Sequence, residues 1–200
     1  MRIDPDNRTV QGLTEFLEFV GLNLVYLVTC LPVVTIGAST SALLEVTIRY
    51  SDDERGRPLP DYLPAFRRNL VPGLVAFAAL LLPAGLLAFS AIFWLAQQTI
   101  PTTVAGFIAI AAGVYLLAAF GYATALIARY RNPLRQMLRN ALLLPMAEPL
   151  RTAGLMLIPA AMVSLAIVFP PVWILILTVG FSVGAYGAAF LLRAVFSRHS

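Results

Sequence analysis

"VPGLVAFAALLLPAGLLAFSAIFWLAQQTIPTTVAGFIAIAAGVYLLAAFGYATALIA", residues 71–128, contains not one Asp, Glu, Lys or Arg. Soluble domains carry roughly 25% charged residues, so an uncharged run of this length belongs in lipid. It is more than twice the roughly 20 residues that one helix needs to cross hydrocarbon. "QQTIPTT" (97–103) divides it with two amides, a proline and three hydroxyls, the composition of a hairpin tip. Two spans are therefore expected, approximately 71–96 and 104–128.

The same reading applies to Thr152–Leu192, which also lacks charge and is bisected by "FPPVW" (169–173). It gives spans of about 152–168 and 172–192. The whole chain agrees, with 60% hydrophobic and 12% charged residues and a mean hydropathy of +0.83. Spanning segments must satisfy their backbone polar groups internally, as helices or closed barrels do, and barrel strands would alternate polar with apolar residues. No such alternation is present. The expected fold class is all-α, a polytopic transmembrane helix bundle forming a single integral membrane domain over residues 1–200, with short amphipathic interfacial helices.

Orientation follows from arginine, because all 14 basic residues are Arg. Five lie between Arg49 and Arg68, five between Arg129 and Arg151, and two at Arg193 and Arg198, while neither hairpin tip has any. The positive-inside rule then makes the loops around 45–70 and 129–151 and the C-terminus cytoplasmic, in a bacterial plasma membrane. The net charge of +4 implies attraction to anionic phospholipid at these loops and not to nucleic acid. Ahead of them, residues 16–36 form a first span, for about five in all. That span, with cytoplasmic Arg49 beyond it, puts the N-terminal tail outside; the tail leans acidic through Asp4, Asp6, Glu15 and Glu18 against Arg2 and Arg8. A cleaved signal peptide is not expected, since Thr29, Cys30 and Leu31 make a poor cleavage site.

The first span is interrupted by "LPVVTIGAST" (31–40). Pro32 cannot continue a helix, Gly37 tolerates left-handed geometry, and Ser39 is a good N-cap for a new helix through about Tyr50. Glu45 and Arg49 in that helix stand at the favourable i, i+4 spacing. About 18 Å of helix is too short to cross, so it lies on the inner surface or returns partway as a re-entrant leg. The surface position is expected, because a return leg leaves Glu45 and Arg49 in hydrocarbon unless neighbours cover them. Exposed amides at Ser39 to Ser41 are a candidate anion site beside the plain reading as a capped turn.

"NLVYLVTCLPVVTIGASTSALLEVTIRY" (23–50), followed by "DYLPAFRRNL" (61–70) and "LRQMLRNALLL" (134–144), resembles the YesL-like family of bacterial integral membrane proteins, defined by a domain of unknown function. Asn23, Pro32, Thr35, Gly37, Ser39 and Thr40 carry the resemblance first, and Phe66, Arg68 and Asn69 second. The resemblance runs over nearly the whole chain and implies about five spans and a frequent genetic association with ABC-type carbohydrate uptake. It brings no activity and no catalytic residue.

An internal echo is visible without the family. Arg68-Asn69 and Arg139-Asn140 stand 71 residues apart, each ahead of an apolar run. Tyr62, Leu63, Phe66 and Leu70 recur at helical spacing, as do Leu134, Met137, Leu138 and Leu142. Both stretches read as interfacial helices with Arg snorkelling to phosphate, or as docking surfaces for a cytoplasmic partner.

Catalytic chemistry is sparse. Cys30 is a lone cysteine and His199 the one histidine, which leaves no disulfide, no zinc cluster and no His-assisted nucleophile. Asp52-Asp53-Glu54 reads as a solvated charge cluster beside Arg55 and Arg57. Gly180, Gly184 and Gly187 suit close helix packing. No enzyme, cofactor or metal is expected. The favoured function is an accessory or scaffold component of carbohydrate uptake, partnered by an ABC sugar-transporter component; the alternative is a small transporter or channel subunit for a small solute.

Overall fold

A computed structural model describes the backbone of residues 8–53 and 58–199, and the side chains of residues 14–51 and 58–192. The tail acids Asp4 and Asp6, residues Glu54, Arg55 and Arg57, and the side chains of Asp52, Asp53, Arg193, Arg198 and His199 lie outside the described residues. The described chain is helical without a strand: α1 (Arg8–Cys30), α2 (Ile36–Asp53), α3 (Pro58–Ala76), α4 (Leu82–Ala96), α5 (Ile100–Arg129), α6 (Leu134–Ala147), α7 (Pro149–Val168), α8 (Val172–Leu175) and α9 (Phe181–His199). Four stretches among the described residues are long and apolar enough to cross a membrane: Pro58–Ala96, Ile100–Arg129, Pro149–Val168 and Val172–Leu192. They contain the four spans read from the uncharged runs. Their outer faces expose Phe89, Ile92, Ile108, Ile167 and Ile174, as suits contact with lipid and not water. This is a multi-pass membrane protein.

The hairpin tips fall where proline and polar residues place them. Thr99 caps α5 through a reciprocal capping box with Thr102, and Pro101 occupies the first turn of that helix, where its missing N–H costs nothing. The second tip sits between Phe169 and Val172. Prolines also shape the ascending limbs. A π turn at Phe77–Leu81 joins α3 to α4 just before Pro83, whose ring excludes a regular turn there. In the second limb Pro149 forces Glu148 out of helical geometry (φ −131°, ψ 65°), and α6 ends.

The N-terminal third departs from the expectation. α1 ends at Cys30, six residues short of the predicted span, because Pro32 has no N–H to continue it. A single 3-10 turn at Val33–Thr35 follows, and α2 begins at Ile36. Ser39 is therefore three residues inside a helix and not its N-cap. The Thr35 hydroxyl closes the break, lying 2.6 Å from both the Thr29 and the Pro32 carbonyl oxygens, and supplies a donor to a helix end that would otherwise lack one.

α2 is not a surface helix. It folds back antiparallel to α1, with Tyr26 opposite Thr40 and Phe19 against Tyr50 (ring centroids 5.7 Å apart). It also runs antiparallel to α3, with Gly37 against Gly73 and Arg49 near Asp61. Residues 41–48 are all buried, and α3, α5, α9 and α1 surround them. α2 thus returns beside α1 as the re-entrant alternative requires, and the described parts of 45–70 are helices packed against each other. A consequence corrects the topology: α1 rises from the same end as Arg49, Asp61 and Tyr186, so its start shares the Arg-rich end and does not lie opposite it.

α3 and α6 differ from interfacial helices for the same reason, burial by neighbours. The covered face of α3 is Tyr62, Ala65, Asn69, Gly73 and Ala76, while Leu63 is exposed. α6 covers Met137 and Ala141 against α5. The Tyr115 hydroxyl donates to the Leu142 carbonyl. Tyr115 stands 14 residues before Arg129, about 21 Å along α5. α6 therefore climbs beside α5 rather than lying in the headgroup plane.

Candidate functional site

Near the Arg-rich end of α2, Glu45 is a carboxylate among apolar neighbours. Leu43, Leu44, Val46 and Ile48 beside it are buried, and Glu45 itself is 9% exposed. An isolated charge in such surroundings is costly unless it is paired and hydrogen-bonded. Three donors meet it. Arg49 and Arg68 each reach Oε1, at 2.9 and 2.7 Å, and Asn69 Nδ2 donates to Oε2 at 2.9 Å. Arg49 follows from the i, i+4 spacing on α2. Arg68 and Asn69 arrive because α3 runs antiparallel to α2 on a close crossing. That crossing is set by glycine: a Cβ on Gly37 would lie 2.1 Å from the Gly73 carbonyl oxygen, and one on Gly73 would lie 2.3 Å from the Ala38 nitrogen. Gly37 is needed for backbone contact inside a helix, not for left-handed geometry.

Beyond Glu45 a polar cleft of about 320 Å³ opens, lined by Glu45, Ile48 and Arg49 from α2 and by Ile127, Ala128, Arg129, Tyr130 and Arg131 around the end of α5. Among the described residues, three guanidinium groups and one carboxylate line it, and the planar forks of Arg suit phosphate or carboxylate oxygens. Nothing in the sequence marks Arg129 and Arg131 as part of a site, because only the fold brings them to Arg49. Glu45 is visible there as half of a helix pair, but that pair alone argues for the surface.

A second buried polar contact lies across the bundle. Asn23 is fully buried and faces a π turn at Ile176–Gly180 between α8 and α9. Its Nδ2 donates to the Leu177 carbonyl at 2.7 Å, and its Oδ1 accepts from the Phe181 and Ser182 amides at 2.9 and 3.1 Å. The Ser182 hydroxyl, near the Phe19 carbonyl (3.0 Å), adds a further link to α1. One side-chain amide thus satisfies both donors and acceptors of a widened turn, which is why an asparagine stands in an otherwise apolar helix.

The remaining candidate positions divide. Thr40 meets the Tyr26 hydroxyl at 3.4 Å, and the Tyr62 hydroxyl shares a 2.6 Å hydrogen bond with Thr29. Phe66 stacks on Tyr62 and belongs to the bundle. Ser39 is fully buried and its hydroxyl has no partner among the described residues, while Ser41 donates to the Gly37 carbonyl. Amides at 39–41 are thus inside a buried helix and not open to an anion. The echo is asymmetric: Arg139 is exposed and Asn140 half-buried on α6, and neither takes the part that Arg68 and Asn69 take at Glu45. Gly180 and Gly184 pack against Met162, whereas Gly187 meets nothing within 4 Å.

Among the described residues no three His, Cys, Asp or Glu side chains converge as a metal site. Residues 19–91 match the family model described as a protein of unknown function, DUF624. That agrees, over this part of the chain, with the resemblance read from the sequence. No curated protein and no solved structure matches the chain.

Proposed function

We propose that this chain is a non-catalytic accessory or scaffold component of a bacterial carbohydrate-uptake system of the ABC type, seated in the cell membrane with its Arg-rich end and C-terminus in the cytoplasm. The observation that carries the reading is the clamping of α2. It is held to α3 by the Glu45 cluster and the Gly37–Gly73 contact. A central helix fixed in this way suits a rigid platform better than a carrier whose halves must rock past one another. The uptake association rests on the family resemblance, and the sidedness on the positive-inside rule.

The test is purification of the tagged chain from native membranes in mild detergent, with identification of what accompanies it. Recovery of ABC importer permease subunits, together with reduced carbohydrate uptake in a deletion strain, is the expected result. Recovery of the chain alone with unchanged uptake would refute it. A second reading, a small solute transporter, is favoured by Glu45 and by the two π turns at Phe77–Leu81 and Ile176–Gly180, since buried ionisable groups and widened turns often mark transport paths. Solute flux through liposomes containing the purified chain alone would establish it in place of the first.

A further inference from the structure

Between α2, α5, α7 and α9 the bundle leaves an apolar groove of about 380 Å³. Leu117, Val163 and Trp173 line it and are also exposed on the outer surface, so the groove opens sideways to lipid. Along α7 it extends from Leu155 to Ala166, about 16 Å of helix. Among the described residues no charged side chain lines it, and its hydroxyls are those of Tyr26, Thr40 and Thr124. Thr124 donates to the Gly121 carbonyl of its own helix at 2.8 Å. Tyr26 and Thr40 are less well served. Their oxygens stand 3.4 Å apart, longer than the roughly 2.5 to 3.0 Å of a sound O–H···O bond, and the Cys30 thiol beside Tyr26 is a weak partner. Two O–H donors share one long contact, so one hydrogen of the pair lacks an oxygen acceptor among the described residues.

The pair lies deep. Tyr26 packs on Phe181 with ring centroids 5.4 Å apart, and Phe181 is the tenth of the 21 residues of the span Val172–Leu192. That position is near the bilayer midplane, roughly 15 Å from either headgroup layer. We infer that the groove binds an uncharged long-chain lipid by its carbonyl group, whose oxygen accepts from the Tyr26–Thr40 pair while the chain lies under α7. Depth and charge select this occupant. A charged head would meet no counter-charge in the groove and is costly at the midplane. The ester carbonyls of a phospholipid are held at the interface by their own headgroup and do not reach. A bare hydrocarbon fills the groove but leaves the spare donor unsatisfied. A carbonyl supplies the acceptor without bringing a further donor into hydrocarbon.

The experiment uses the groove's own tryptophan. The chain has two, Trp94 and Trp173, and Trp94→Phe leaves Trp173 as the reporter in the full chain. In detergent, its fluorescence is titrated with three brominated quenchers: methyl dibromostearate, dibromooctadecane, and phosphatidylcholine with dibromostearoyl chains. The methyl ester should quench saturably, with its midpoint about two- to tenfold below that of the alkane, the return on one neutral hydrogen bond. Phosphatidylcholine should show the unsaturable quenching of a lipid at an exposed surface. Tyr26→Phe/Thr40→Val, which nearly keeps the groove's shape and removes both hydroxyls, should bring the ester's midpoint to that of the alkane. Equal midpoints for ester and alkane in the Trp94→Phe chain would overturn the carbonyl assignment, and saturable quenching by phosphatidylcholine at the ester's midpoint would overturn the neutral lipid. An ester preference that survives loss of both hydroxyls would overturn the location, and no saturable quenching by any probe would overturn the site. If the hydroxyl-free variant does not fold, the three-quencher comparison on the Trp94→Phe chain still decides.

Discussion

Replacement of Asn23 isolates the contribution of polar contacts from that of packing. Asn23→Ala removes the bonds to the Leu177 carbonyl and to the Phe181 and Ser182 amides, at 2.7, 2.9 and 3.1 Å. Interhelical hydrogen bonds inside membrane proteins contribute about 0.6 to 1.7 kcal/mol each. Three of them give a loss of about 2 to 5 kcal/mol, on top of the small cavity. Asn23→Leu supplies side-chain volume but no hydrogen bond, so it should recover little of that loss. Asn23→Asp keeps both acceptor bonds but sets a carboxylate against the Leu177 carbonyl, and should also destabilise. Thermal unfolding in detergent gives the ranking, and amide exchange at Phe181 and Ser182 gives the local readout, expected to accelerate in both Ala and Leu variants. An Asn23→Leu chain as stable as the native one, with protected amides at those positions, would refute the reasoning.

Three other outcomes are expected. Gly73→Ala should destabilise by about 1 to 3 kcal/mol or more through overpacking, since its Cβ would meet the α2 backbone at Ala38; thermal unfolding checks this, and Gly187→Ala, which meets nothing, is the control expected to be silent. Arg68→Gln should cost more than Arg49→Gln, because Arg68 approaches Glu45 more closely and its side chain is less exposed (36% against 51%); both half-exposed pairs are worth about 1 kcal/mol or less after screening, and thermal unfolding of the two variants side by side gives the order. In a Cys30→Ser background, Glu15→Cys should label from the same side of the membrane as Gln136→Cys and from the opposite side to Gln98→Cys; labelling of Glu15→Cys with Gln98→Cys would undo the α1–α2 hairpin.

The apolar spans are legible because lipid imposes a single rule on every residue that faces it, and Val71 to Ala128 obeys that rule without exception. Proline and threonine at 97–103 locate the tip for an equally local reason, a missing donor and a capping hydroxyl. Asn23, Arg68 and Asn69 stand out in the sequence, but their partners lie on other helices, and no local pattern names Leu177 or Glu45. The surface position expected for α2 fails for a definite cause. Weighed as a pair against hydrocarbon, Glu45 and Arg49 favour the surface; the two further donors from α3 reverse that balance. Likewise Gly37 suggests φ freedom when read alone, whereas its missing side chain matters through Gly73, 36 residues away.

Some polar side chains of α2 satisfy themselves within the helix, and Glu45 does not. Ser41 donates to the Gly37 carbonyl and Thr47 to that of Leu43, within their own helix. Glu45 has no such recourse, and an acidic side chain at the centre of an isolated membrane helix costs roughly 2.5 to 3.5 kcal/mol on insertion scales. The half-exposed Arg49 pair returns about 1 kcal/mol or less of that after screening, so Arg49 alone leaves Glu45 better placed at the surface. Arg68 adds a similar amount, and the buried hydrogen bond from Asn69, about 1.5 to 3 kcal/mol for a charged acceptor, brings the total to the size of the cost. The α2–α3 hairpin is thus the smallest unit that can hold Glu45 among apolar neighbours, and α1 covers it from the other side through Tyr26 and Thr29. The family match over residues 19–91 takes in that whole assembly from Phe19 to Ala91. It stops short of Arg129 and Arg131, so the hydrogen bonds that hold Glu45 fall inside the matched region, and the wall of the cleft from Ile127 to Arg131 lies outside it.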